Sequence, residues 1–215
     1  MPMAEAGRIV HLVDDDGSVR RSVSFMLRTS GYQVKTYESG VEFVREAKAA
    51  EPGCILLDVR MPEMDGLEVQ RRLGELGVLL PVIVMTAHGD VNVSVQAMKA
   101  GAIDFIEKPF EKAVLLGALE DGFARLEQSG RRNARAEEAG ARLRALTPRE
   151  MDVMRGLVRG HPNKTIAYDL GISARTVEIH RANLMTKLGV ASLSEALRIA
   201  FAAGLDDDEG PSSAA

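Results

Sequence analysis

The sequence predicts a doubly wound α/β domain on a five-stranded parallel sheet, followed by a small all-α domain containing a helix-turn-helix. Three observations carry that expectation. Five short apolar runs recur through the first half, amphipathic segments separate them, and the second half carries helix-start signals around a helix-turn-helix layout.

The runs are RIVHLV, QVKTY, CILLD, PVIVMT and DFIEKP. Their lengths and β-branched content suit strands, and the near-continuous hydrophobicity of the first, third and fourth suits strands covered on both faces. Between the first two, Val19, Val23, Met26 and Leu27 keep helical spacing and stop at Gly31, a good residue to follow a helix. Asp90 is placed to cap VNVSVQAMKA, which stops at Gly101. Five such βα units predict the strand order 2-1-3-4-5 in a domain over residues 1–127.

In sheets of this kind ligands bind beyond the carboxyl ends of the strands, at the crevice where the order reverses. Asp14 and Asp15 follow the first strand and Asp58 ends the third, so three carboxylates converge there. They repel one another, and a hard divalent cation with oxygen ligands, Mg²⁺, is the natural relief. Thr86 ends the fourth strand and Lys108 the fifth, adding a hydroxyl and a fixed cation. A carboxylate nucleophile, a metal, a hydrogen-bond donor and a positive charge are the parts needed to accept a phosphoryl group, with Asp58 becoming an aspartyl phosphate. Alone, the acids are most simply a solvated loop and the lysine a surface charge. Together they fall on one edge of one sheet.

Charge is divided along the chain. The balance is −6 over residues 1–128, +6 over 129–205 and −4 in the tail 206–215, which sums to the overall −4. A basic half of this size points to nucleic acid. The single cysteine, Cys54, excludes an internal disulfide and a multi-cysteine metal site, and reads as a small buried residue opening a strand. MPMAEAGRIV has no apolar h-region and LLPVIVM is too short to span a bilayer, so a cytoplasmic chain without membrane contact is expected. The tail has the composition of a disordered segment.

In the second half, residues 128–145 form a linker in which Glu138 and Arg142 support a helix while Gly130 and Gly140 weaken it. A domain over 146–205 follows. LTPREM predicts a helix start, with Thr147 as N-cap, Pro148 at the first position, Glu150 closing a capping box and Leu146 stapled to Met151. NKTIAYDL, a turn containing Gly171, and a second helix capped by Ser173 make the helix-turn-helix. On that second helix Val177, His180, Leu184 and Leu188 share an inward stripe. Arg175, Glu178, Ile179, Ala182 and Thr186 point the other way, where Glu178 can accept from a cytosine amine and Ile179 can lie on a thymine methyl. A hairpin of an ordinary helical bundle has the same stripe; the basic charge favours DNA.

The motifs VDDD, LLDVRMPEMDG, TAHGD and AMKAGAIDFIEKPF resemble, in order and spacing, those of the receiver domains of two-component response regulators. That resemblance covers residues 7–127. It implies phosphorylation of Asp58 by a partner histidine kinase and Mg²⁺ held by Asp14, Asp15, Asp58 and the Arg60 backbone carbonyl. Thr86 and Lys108 would contact the phosphoryl group, and the Lys108–Pro109 peptide would be cis. Phe105 stands at the family's switch-aromatic position, where many relatives carry a phenol. Residues 141–204 resemble the LuxR-type DNA-binding domain, and NKTIAYDL with RTVEIHRANLM is especially similar to the FixJ branch. By position Glu178, Ile179 and Ala182 match groove-facing residues, and Lys164, Thr165, Arg175 and Thr176 match phosphate-side ones. Many LuxR-type relatives carry Lys where this chain has Glu178 and Ala182, so their base preferences do not transfer. The resemblance further implies a homodimer on phosphorylation and contact with RNA polymerase.

The expectation is therefore a switch rather than an enzyme, a response regulator that binds double-stranded DNA to control transcription. Two rivals are a phosphate-independent DNA-binding or adaptor protein with a vestigial receiver, and an aspartyl-phosphate phosphatase. The intact set of Asp14, Asp15, Asp58, Thr86 and Lys108 argues against the first, and the basic helix-turn-helix against the second. His11, His88, His161 and His180 are too scattered for a metal site and read as structural, with His88 placed to influence water access to the phosphate.

Overall fold

The computed structural model describes residues 7–87 and 91–205, in two compact units, Met1–Ser129 and Gly130–Ala215. In the first, the chain runs β1 (Ile9–Val13), α1 (Gly17–Arg28), β2 (Gln33–Tyr37), α2 (Gly40–Glu46) and β3 (Gly53–Asp58). It continues through α3 (Gly66–Glu75), β4 (Val82–Thr86), α4 (Val91–Lys99) and β5 (Asp104–Glu107) into α5 (Lys112–Leu143). All four strand pairings are parallel and the order is β2-β1-β3-β4-β5, as the sequence predicts. Every residue of β1, β3 and β4 is buried, the physical reason for their uninterrupted apolar runs.

Alternate side chains of these strands feed two cores. Val10, Leu12, Leu56, Ile83 and Met85 pack with Leu27 of α1 and Leu115 and Leu119 of α5. Val13, Ile55, Leu57 and Val84 pack with Phe43 of α2 and Val69 and Leu73 of α3. With both faces covered, the sheet leaves its carboxyl edge as the place for polar chemistry. Cys54 is fully buried, and burial pushes its thiol up to about 12, which suits packing rather than reactivity.

Local signals shape the loops at both edges of the sheet. Asp16 caps α1, its carboxylate accepting from Ser18 N at 2.7 Å, so the third acid of VDDD ends as a helix cap. Gly31 and Gly101 adopt positive φ of 92° and 96° after their helices. Asp90, with the cap expected of it, and His88 lie outside the described residues, as does the acidic tail 206–215.

The linker differs from its ambiguous reading, because α5 runs unbroken through both Gly130 and Gly140. Each glycine costs a helix about 1 kcal/mol relative to alanine. Burial of Ala139 and Leu143, together with the Glu138–Arg142 pair at 3.8 Å, works in the opposite direction.

The second unit packs α6 (Pro148–Val158), α7 (Asn163–Leu170), α8 (Ala174–Leu188) and α9 (Leu193–Ala202) around Val153, Met154, Ile166, Val177, Leu184 and Ala196. Thr147 and Glu150 form the reciprocal capping box of α6. Gly171 takes a left-handed conformation at the turn, and Ser173 caps α8 through Thr176 N at 3.0 Å.

One close approach positions the functional edge. A Cβ on Gly66 would lie 2.4 Å from the Asp58 carbonyl oxygen, and Gly66 N donates to Val59 O at 2.9 Å. Only glycine lets α3 start that near the end of β3. Gly66→Ala should therefore destabilise the first unit by about 1–3 kcal/mol in denaturant titrations, since backbone rather than a side chain must yield. Wild-type stability would contradict this reading.

Candidate functional site

The carboxyl edge of the sheet brings Asp14, Asp15 and Asp58 together, with one potential ligand oxygen from each lying within 4.8 Å of the others. Asp14 is fully buried just after β1, Asp15 is exposed beside it, and Asp58, 6 % exposed, ends β3. Lys108 reaches in from beyond β5 and donates to Asp14 Oδ2 at 2.6 Å and to Asp58 Oδ1 at 2.7 Å. The other Asp14 oxygen accepts from Asp16 N at 2.9 Å. Thr86 ends β4 one residue beyond Met85, the register partner of Asp58, and its carbonyl accepts from Lys108 N at 2.7 Å. The Lys108–Pro109 peptide is cis, as the resemblance implies.

Electrostatics in this pocket are set by competition. Burial raises the Asp58 pKa above the usual aspartate value, while the Lys108 ammonium opposes that shift and the Asp14 and Asp15 charges add to it. For Lys108 burial works against the charged form, but hydrogen bonds to Asp14 and Asp58 outweigh it and raise the pKa. Asp58 thus favours folding at acid pH and loses that contribution as pH rises through its raised value. Lys108 stays charged throughout the neutral range. Three carboxylate oxygens at this spacing are the hard donor set that suits Mg²⁺, and Lys108 offsets only part of their charge.

Two other predicted positions lie on the surface. Phe105, 42 % exposed, projects from the edge strand β5, and Arg60 is exposed two residues past Asp58. Sequence reasoning missed Arg20, whose guanidinium donates to the carbonyls of Asp14 and Asp15 at 2.7 and 2.9 Å and to Glu38 at 2.7 Å. It fixes the acidic loop. Only its sequence proximity to the acids hinted at that role.

In the second unit Arg175, Glu178, Ile179, Ala182 and Thr186 of α8 are all exposed, while Val177, Leu184 and Leu188 are buried. His180, expected on the same inward stripe, is half-buried. Lys164 is exposed and Thr165 half-buried on α7, and Thr176 is half-buried in the first turn of α8. Arg175 pairs with Glu178 at 3.1 Å along the exposed face. Two contacts missed in the sequence hold α8. Lys187 bridges to the nearly buried Glu150 at 2.7 Å, and Arg181 donates to Asn163 Oδ1 at 2.7 Å.

Comparison with known proteins agrees with both halves. The family described as response regulator receiver domain matches residues 10–120, and that described as bacterial regulatory proteins, luxR family, matches residues 144–200. The transcriptional regulatory protein FixJ of Azorhizobium caulinodans is 47% identical over 204 residues, covering 94% of this chain and 97% of that one. This chain is a FixJ-type response regulator. FixJ of Rhizobium meliloti is likewise 47% identical, over 203 residues, covering 94% and 98%. Among solved structures, the response regulator StyR aligns with a TM-score of 0.74 at 39% identity, covering 90% of this chain and 98% of that one. Full-length FixJ from B. japonicum aligns with a TM-score of 0.58 at 40% identity, covering 92% and 98%.

The Lys108 bridge yields a test. Lys108→Met leaves Asp14 and Asp58 facing each other without a counter-charge, so without Mg²⁺ at neutral pH it should cost on the order of 3 kcal/mol. Added Mg²⁺ should restore part of that loss in thermal melts, because the cation replaces the missing charge. Unchanged stability of the metal-free variant would refute the electrostatic role.

Proposed function

We propose that this response regulator accepts a phosphoryl group on Asp58 from a partner histidine kinase and thereby controls DNA binding by α8. The observation that carries this is Lys108 joined to Asp14 and Asp58 in a pocket with three converging carboxylates. In the transfer, an Asp58 carboxylate oxygen forms a bond to phosphorus as the bond from phosphorus to the donor imidazole breaks. Lys108 is positioned to neutralise charge on the phosphoryl oxygens, and the Thr86 hydroxyl to donate a hydrogen bond to them. Asp14, Asp15, Asp58 and the Arg60 carbonyl would hold Mg²⁺, which when bound supplies further neutralisation of the phosphoryl charge.

The output rests on the exposed face of α8. Glu178, Ile179 and Ala182 read base edges, while Lys164, Thr165, Arg175 and Thr176 contact the phosphate backbone. Glu178 replaces the cation that many LuxR-type domains carry there, so its preference is for an amine donor such as cytosine N4. Phosphorylation draws Thr86 inward, resets Phe105 on its exposed edge strand, and creates a two-fold homodimer that binds paired half-sites and engages RNA polymerase. Residues 1–127 act as the receiver, 128–145 as linker and 146–205 as the DNA-binding domain of a cytoplasmic switch, not an enzyme. Among the described residues no helix is long and apolar enough to cross a membrane.

Mg²⁺ and a small phosphodonor should add one phosphate to the full chain, read by intact mass. Asp58→Asn should abolish the addition, and Asp15→Asn should reduce it nearly as far by weakening the metal site. Full phosphorylation of Asp58→Asn would sink the assignment.

A further inference from the structure

The receiver unit is acidic overall, yet α1 carries Arg20, Arg21 and Arg28 and no acid. These arginines line a groove of about 360 Å³ against β2, together with Ser24, Phe25 and Thr36. Their charges are crowded: a Cβ on Gly17 would lie 3.4 Å from an Arg21 guanidinium nitrogen and 3.6 Å from one of Arg20. Arg20 is committed to the Asp14 and Asp15 carbonyls and to Glu38. Arg28 gives a single hydrogen bond, to Val34 O at 3.2 Å, and Arg21 has no partner among the described residues. Most of the donors of Arg21 and Arg28 are therefore available to a ligand.

Two further features bear on what would fill the groove. Ser24 is 7 % exposed and its hydroxyl is buried without a hydrogen-bond partner, an unmet polar group in the groove wall. Phe25, 72 % exposed, stands one helical turn from Arg21 on the same face of α1. Guanidinium forks match phosphate oxygens in pairs, and an exposed aromatic face stacks on a nucleobase. The volume lies in the range of pockets that hold ligands larger than a simple ion.

We propose that the groove between α1 and β2 binds a nucleotide, its phosphates on Arg21 and Arg28 and its base against Phe25. The hydroxyl of Ser24, by turning about its side-chain bond, supplies a further donor to the same ligand. The site is separate from the acidic pocket, but Arg20 touches both, since it lines the groove while holding the backbone of Asp14 and Asp15.

Calorimetric titration of the full chain without Mg²⁺, using ADP and inorganic pyrophosphate as probes, tests this directly. ADP should bind with a dissociation constant of roughly 0.1 mM and pyrophosphate more weakly. The double variant Arg21→Ala/Arg28→Ala should weaken both by at least about tenfold. Arg21→Lys, which keeps charge but loses the fork, should give an intermediate loss for each. Phe25→Ala should bring ADP down to the level of pyrophosphate. These side chains are exposed, so melting temperatures should stay near that of the parent. ADP binding that survives the double arginine substitution, or neither probe binding the parent chain at about 1 mM, overturns the proposal. Equal binding of both probes with no effect of Phe25→Ala overturns the nucleotide assignment.

Discussion

The receiver unit depends on one interaction, the Lys108 ammonium shared between Asp14 and Asp58 at 2.6 and 2.7 Å. Two nearly buried carboxylates at neighbouring strand ends would repel each other strongly in a low-dielectric setting. The lysine satisfies an oxygen on each, and its own backbone N–H is tied to the end of β4 through Thr86 O. Three strand ends are thus locked to one lysine. On the proposed function, an arriving phosphoryl group would bring oxygens that compete for the same ammonium. The parallel sheet makes this possible by presenting all its strand ends on one edge, and Gly66 lets α3 start directly against the backbone of Asp58.

A comparable economy governs the second unit. Glu150 accepts from Thr147 N to close the capping box of α6 and also from Lys187 near the end of α8. One carboxylate, penalised by burial but with its pKa held below the usual glutamate value by Lys187 and Thr147, fixes both a helix start and the seat of α8. Arg181 ties the middle of α8 to the first residue of α7. The exposed face of α8 is thereby presented on a rigid support, where Ile179, 50 % exposed, and Glu178 stay open to solvent.

The strands were legible because burial on both faces leaves continuous apolar runs, and the site was legible because strand ends in a parallel sheet converge. Helix starts at Thr147 and Ser173 were legible because capping is local chemistry within four residues. The contacts that escaped the reading span long separations or have no local signature: Lys187 with Glu150, Arg181 with Asn163, and Arg20 folding back on the acidic loop. The unbroken α5 escaped for a different reason. Local propensity at Gly130 and Gly140 argues for a break, while burial of Ala139 and Leu143, visible only in the folded unit, argues against one.

The proposed control of DNA binding through Asp58 is tested most directly by measuring affinity of the full chain for one paired-site DNA at fixed salt, before and after complete phosphorylation. Asp58→Asn provides the chain that cannot respond. Phosphorylation should tighten binding of the parent and leave Asp58→Asn at the unphosphorylated value. Equal affinity of the phosphorylated and unphosphorylated parent for the same DNA would contradict control through Asp58 and favour a DNA-binding protein whose receiver pocket no longer signals.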